Sequence, residues 1–282
     1  MHYANGAPKN EVMDEVVNAV NRVVRAVFDD VMEATWLDQT TCALGGITPL
    51  KLMATYGNTG IAAKLLHKQL DNQTLEGALM AAAEHGQYEM VRLLLQQVKS
   101  ASGLDSNTAA RSYIATKFRD HLQRTPFQYA VINGHIEVAR DLCCAEAVAS
   151  RDFMDRDAVH LVAMAKYPEP LFYLISPFIK KPPNMAEGGA SRTGSSAGQT
   201  IDIDRGDRMG WTAVHIAAAA SKTSAAYIKF LRRHGARLDL RTCAGNGEWT
   251  PLDIAVKHCN MARIRQPHFP PRQHVRIGTA NR

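Results

Sequence analysis

Arg124-Thr125-Pro126-Phe127-Gln128-Tyr129-Ala130-Val131-Ile132-Asn133-Gly134-His135-Ile136-Glu137-Val138-Ala139-Arg140-Asp141-Leu142 decides how this chain is read. It opens on Thr-Pro, runs through small and apolar residues, turns at Gly-His, and resumes with apolar residues at helical spacing from Ile136 to Leu142. The same order recurs, degraded, along the chain. Clear starts are Thr48-Pro49-Leu50 running to Gly57, Thr212-Ala213-Val214-His215 followed by Ala217-Ala218, and Thr250-Pro251-Leu252 followed by Ala255. Two weaker starts lack the Thr: Gly77-Ala78-Leu79 with Ala82-Ala83 and Gly86, and Asp157-Ala158-Val159-His160 with Ala163. Repetition of this kind marks a chain built from stacked supersecondary units.

These tracts resemble ankyrin repeats, and the resemblance runs from about Gly46 to Ile264. It implies an all-α ankyrin-repeat solenoid of stacked helix-turn-helix units with hairpin loops, in which each unit buries its apolar face against its neighbours. It also implies roles for single residues. The Thr and the His three positions later brace the entry to the first helix by side-chain to backbone hydrogen bonds, and small residues let helices approach closely. Losing the Thr should loosen a repeat, so Asp157 to Lys181, which also carries Pro168 and Pro170, is expected to fray first. Second helices are expected at Ile61 to Leu66, Glu89 to Leu95, Ile136 to Leu142, Leu171 to Ile175 and Tyr227 to Leu231. His234-Gly235-Ala236 resembles the turn that closes a repeat, where glycine supplies a positive φ.

The starts are unevenly spaced, and the long gaps imply insertions near residues 100–122 and 177–204. The first offers Asp105 or Ser106 as a cap, then Ala110, Ile114, Phe118 and Leu122 four apart, which predicts a short amphipathic helix. The second holds Lys180-Lys181-Pro182-Pro183 and several Gly and Ser residues, which predicts a flexible loop. Residues 1–46 read as an N-terminal helical capping region or a degenerate repeat: Met13, Val17, Val20, Val24, Val27, Val31 and Ala34 have the spacing of a coiled-coil seam, but Val16 and Val23 beside them make the apolar face too broad for two helices. Residues 47–264 form the ankyrin domain, and 265–282 a basic, disordered tail in which Pro267, Pro270 and Pro271 forbid a helix.

Composition is that of a globular chain: of 282 residues, 46% are hydrophobic and 21% charged. No secretory leader or apolar run of membrane-spanning length is evident. The five cysteines, Cys42, Cys143, Cys144, Cys243 and Cys259, are irregularly spaced, which suits reduced thiols and a cytoplasmic or nuclear location. Most of the net charge of +6 sits on Arg263, Arg265, Arg272, Arg276 and Arg282, a tail able to touch nucleic acid or an anionic surface.

No phosphate loop, H-E-x-x-H or G-x-S-x-G motif occurs, so the expectation is no enzyme, no catalytic residue and no cofactor. Asp202, Asp204 and Asp207 alternate, but Arg205 and Arg208 interrupt them, and no metal is expected. His160 and His215 occupy the repeat's own His position and read as structural.

Ankyrin proteins commonly hold partners on the face made by hairpin tips and the ends of first helices. Carried over, that face offers Arg119, His121 and Arg124 around Asp120, Asn133 from the first helix that follows, Arg151, Phe153, Met154 and Arg156 around Asp152, and Arg208, Met209 and Trp211 around Asp207. Arginine beside aromatic and Met residues suits a protein interface, and the expected partner is an acidic segment with an apolar anchor, held by a monomer. The function expected is a non-catalytic protein-protein interaction adaptor or scaffold. The alternatives are a regulatory or targeting part of an enzyme, and a nucleic-acid or anionic-surface binder acting through the tail.

Overall fold

The computed structural model describes residues 48–66, 70–165, 167–180, 201–220, 225–243, 245 and 247–263. The N-terminal region, the tail from 264 and the centre of the second insertion, over which sequence predicts a cap, a disordered tail and a loop, lie outside the described residues. What is described is helical, with one isolated parallel bridge between Ile179 and Ile201.

Helices α1 (Pro49–Tyr56) and α2 (Thr59–Leu66) form the first described pair, and α3 (Asn72–Glu84) with α4 (Tyr88–Ala101) the second. After the insertion helix α5 (Asn107–Lys117) come α6 (Pro126–Asn133) and α7 (Ile136–Leu142), then a short α8 (Ala145–Ala149). The pairs α9 (Ala158–Met164) with α10 (Pro168–Ile175), and α11 (Ala213–Ala219) with α12 (Ala225–Arg233), precede α13 (Pro251–Arg263). First helices stack in sequence order, α1 on α3, α3 on α6, α6 on α9, α9 on α11 and α11 on α13, so one core runs the length of the array.

The first helices begin where a side chain can take the free amides of the first turn. Thr48 accepts from Lys51 N at 3.2 Å, and Thr125 and Gln128 form a reciprocal capping box, with Thr125 N donating to Gln128 Oε1 at 3.0 Å. Thr250 and Asp253 do the same at α13. Pro at the first helical position of α1, α6 and α13 costs nothing, because that amide has no partner within the helix.

Sequence and structure part at two starts. The helix expected from Gly77 begins earlier, at Asn72, because Asp71 caps it by accepting from Thr74 N at 3.1 Å and Leu75 is buried. At the other start Asp157 takes the place of the missing Thr as the cap. Its buried carboxylate accepts from Val159 N at 3.1 Å and faces His160 Nδ1 at 2.8 Å, so Asp serves the cap as well as Thr would.

The insertions also resolve. Ser106 caps α5, and Ala110, Ile114 and Phe118 are buried as the four-residue spacing requires. The ends of the second insertion are packed rather than loose: Ile179, Ile201 and Ile203 are buried, and Lys180 N donates to Ile201 O at 2.9 Å. On its N-terminal side Phe172 of α10 meets Phe230 of α12, ring centroids 4.8 Å apart and edge to face.

The turns inside the helix pairs interlock. Gly57 and Gly86 adopt positive φ, and a Cβ at Gly57 would collide with the Gln87 side chain, one at Gly86 with the His135 ring. The residue after each turn glycine therefore lies over the glycine of the preceding repeat. Gln87 Nε2 donates to Thr55 O at 3.0 Å and His135 Nε2 to Glu84 O at 3.0 Å, fixing neighbouring turns to each other.

Candidate protein-binding face

Three hairpins are each built on one aspartate, and the hairpin before α13 on Thr242, whose Oγ1 accepts from Trp249 N at 3.0 Å. The Oδ1 of Asp120 accepts from the amides of Leu122 and Arg124 at 2.9 and 2.8 Å. Asp152 accepts from Met154 and Arg156 at 2.9 and 3.1 Å, and Asp207 from Met209 and Trp211 at 2.9 Å each. In all three the backbone also closes between the first and fifth residues, as in Asp152 N to Arg156 O at 3.1 Å. The fourth residue takes positive φ, which Gly210 does freely and Gln123 and Asp155 do against their side chains.

Successive hairpins are laddered. Phe153 N donates to Leu122 O at 2.9 Å, Arg208 N to Met154 O at 3.0 Å and Cys243 N to Met209 O at 3.2 Å. The first helices are tied to the following hairpins by the side chain three residues after each cap. His160 Nε2 meets Trp211 O at 3.1 Å and His215 Nε2 meets Trp249 O at 3.0 Å, the bridging role that the resemblance implies for them. Gln128 holds this position in the third pair, its Nε2 donating to Ser150 O at 2.9 Å. Sequence reasoning passes over Gln128 because it seeks a His.

The arginines divide into two groups. Arg119 donates to Gln123 O and Arg151 O, both at 3.0 Å, and so binds two hairpins together. Its own amide donates to Glu76 Oε1 at 2.6 Å; burial raises the Glu76 pKa, opposed by that bond and reinforced by Asp120. Arg156 donates through Nε and Nη2 to Asp152 Oδ2, and Arg124 lies 3.8 Å from the same oxygen, with side chains only 15% and 19% exposed over a carboxylate that is 0% exposed. Arg124 also covers the Tyr129 ring at 5.6 Å. The Tyr129 hydroxyl donates to Asp120, and burial, then that bond, push its pKa up to about 12. Arg119, Arg124 and Arg156 therefore build the hairpins.

The second group faces outward. His121, Arg151, Phe153, Arg208 and Met209 are exposed, with Arg151 3.4 Å from Asp155. Asp155 is also bound by Arg205 at 2.7 Å, and that bond chiefly lowers its pKa. Asn133, exposed at the end of α6, donates to Tyr129 O at 3.1 Å. Met154 and Trp211 are half-buried, and their carbonyls serve the ladder and His160.

Trp249 is a large exposed side chain that sequence reasoning passes over. Trp249 precedes Thr250 as Trp211 precedes Thr212, which is the signal that could have found it, and Lys257 of α13 lies 4.9 Å over its ring. Met164 at the end of α9 is also exposed, beside Arg156 Nη1 at 3.6 Å.

The family model for ankyrin repeats (3 copies) matches residues 18–108 and 50–157. The chain belongs to the ankyrin-repeat family. A search of curated proteins found no match. Ankyrin repeats are protein-interaction modules, and the family is typically non-catalytic. Beyond the matched residues an Asp-built hairpin recurs at Asp207 and a His bridge at His215, Thr242 takes the aspartate's place in the hairpin before α13, and at α13 Thr250 pairs with Asp253 in place of His. Among the described residues no group of His, Cys, Asp or Glu is arranged to hold a metal, and no helix is long and apolar enough to cross a membrane. Asp204 instead accepts from Arg237 N at 2.7 Å.

Proposed function

We propose that the chain is a non-catalytic adaptor that holds a protein partner on the hairpin face from the third pair to α13, through an acidic segment with an apolar anchor. The observation that carries this reading is the hairpin ladder. It gathers Phe153, Arg208, Met209 and Trp249, all exposed, from three hairpins far apart in sequence. Aromatic and Arg side chains are the types that carry most binding energy at interfaces, and a backbone already held in place adds no ordering cost of its own on contact.

The adaptor acts as a monomer in the cytoplasm or nucleus, a setting consistent with the free thiols of Cys143, Cys144 and Cys243. The test is affinity capture from a eukaryotic lysate with the chain as bait, beside a variant carrying Phe153→Ala, Arg208→Ala and Trp249→Ala. A discrete protein retained by the parent and lost by the variant is the expected result. Recovery of RNA released by salt would assign binding to the basic tail, and an enzyme held equally by both proteins would assign a regulatory role to another surface.

A further inference from the structure

We propose a second binding site, outside the hairpin face, that takes a carboxylate-rich peptide in the groove between α4, the insertion helix α5 and α7. The groove holds about 820 Å³, within the range of ligand pockets, and no hairpin residue named above lines it. It exists because of the insertion. Buried Ile114 and Ala115 pack α5 against the core, and α5 contacts α4 and α8 while α7 contacts α4, so a channel is left open between α5 and α7.

Its chemistry comes from one stripe and one facing side chain. Tyr88, Arg92, Gln96 and Lys99 follow at intervals of four, four and three residues along α4, which puts them on one helix face. Arg92 covers the Tyr88 ring at 5.7 Å, an arrangement that orients the guanidinium without neutralising it. From α5, Arg111 enters the wall with its Nε buried and without a hydrogen-bond partner. Neither Arg111 nor Lys99 has an ion pair among the described residues. The neighbouring Cys143 thiol supplies no counter-charge, since burial above all holds it protonated, its pKa pushed up to about 12.

A half-buried guanidinium without an acceptor is costly, and a carboxylate is the partner that its planar donors match. Glu89 and Asp141 also line the groove, so its walls carry three cations against two acids. Those acids disfavour nucleic acid, whose backbone offers them phosphates and few donors, whereas the backbone amides of a peptide can donate to them. They suit a peptide whose carboxylates are spaced to meet Arg92, Lys99 and Arg111 and whose amides can reach Gln96 and Asn107.

The experiment uses the full chain and a fluorescein-labelled hexaglutamate peptide, read by anisotropy, with hexaglutamine as the uncharged control. Lys99→Gln combined with Arg111→Gln is expected to weaken hexaglutamate binding about tenfold, the loss of one to two charge-assisted hydrogen bonds. Arg111→Lys should recover part of the affinity, and Arg208→Ala should leave it unchanged. The tail arginines are common to all these proteins, so binding through the tail alone would leave the affinity equal in the parent and the double variant. Equal binding by the parent and the double variant, equal binding of hexaglutamine, or an equal loss in Arg208→Ala would each overturn the site. A thermal melt accompanies every variant. If the double variant is unfolded, Arg92→Gln, at an exposed position of α4, replaces it: weaker hexaglutamate binding supports the site and unchanged binding overturns it.

Discussion

The imidazole of His215 spans from the start of α11 to the next hairpin: its Nδ1 accepts from Thr212 N at 3.1 Å and its Nε2 donates to Trp249 O at 3.0 Å. That arrangement needs a neutral ring, with one nitrogen accepting and the other donating. Burial lowers the His215 pKa, opposed by the bond to Trp249 O. The unfolded chain therefore binds this proton more readily. The bridge contributes its full stability above the unfolded value of about 6.5 and loses it as pH falls below that value. Gln128 shows that an amide performs the same task, so His215→Gln should keep most of the stability at about pH 7.5. Thermal melts between about pH 7.5 and about pH 5.5 should show a smaller fall for the variant than for the parent.

Removing Asp152 should unfold the middle of the array most easily. Its carboxylate, 0% exposed, meets two amides and the Arg156 guanidinium, with Arg124 nearby. Asp152→Ala leaves two half-buried guanidinium groups and two amides without their acceptor, a loss of about 3–5 kcal/mol. Urea titration followed by circular dichroism measures it; a loss under about 1 kcal/mol would mean that the hairpins do not depend on this carboxylate.

Two hairpin positions of like geometry should respond in opposite directions to opposite changes. Gln123→Gly relieves a positive φ of 57° in a side chain with no assigned bond, and should stabilise by up to about 1 kcal/mol. Gly210→Ala adds a Cβ only 2.6 Å from Cys243 N, on the ladder between hairpins, and should destabilise by more than about 1 kcal/mol. Chemical denaturation of both variants decides it.

The thiols should differ in reactivity. Burial pushes the Cys143 pKa up to about 12, reinforced by Cys144, and that of Cys144 up to about 11, so neither offers much thiolate near neutrality. Cys243 is exposed. Alkylation at about pH 8, timed and mapped by mass spectrometry, should label Cys243 well before Cys143 and Cys144. Equal rates would show that the α7–α8 junction opens readily.

The sequence by itself determined the helices and their order, because caps, turn glycines and apolar spacing act within a few residues of one another. Thr125-Pro126, Gly134 and the row Ala110, Ile114, Phe118 are legible for that reason. It also marked Asp120, Asp152 and Asp207, whose bonds reach only two and four residues ahead. Tertiary structure decided what depends on partners distant in the chain. Only stacking shows that Arg124 reaches Asp152 of the next hairpin, that Gln128 stands in for a His by bonding Ser150 O, and that Trp249 is exposed beneath Lys257. The groove beside α5 was equally beyond local reading, since its walls come from elements that only the packing of Ile114 and Ala115 brings together. Whether an arginine is free to meet a partner depends on the acceptors within reach of its guanidinium, and in this array those of Arg119 and Arg124 come in part from the next hairpin.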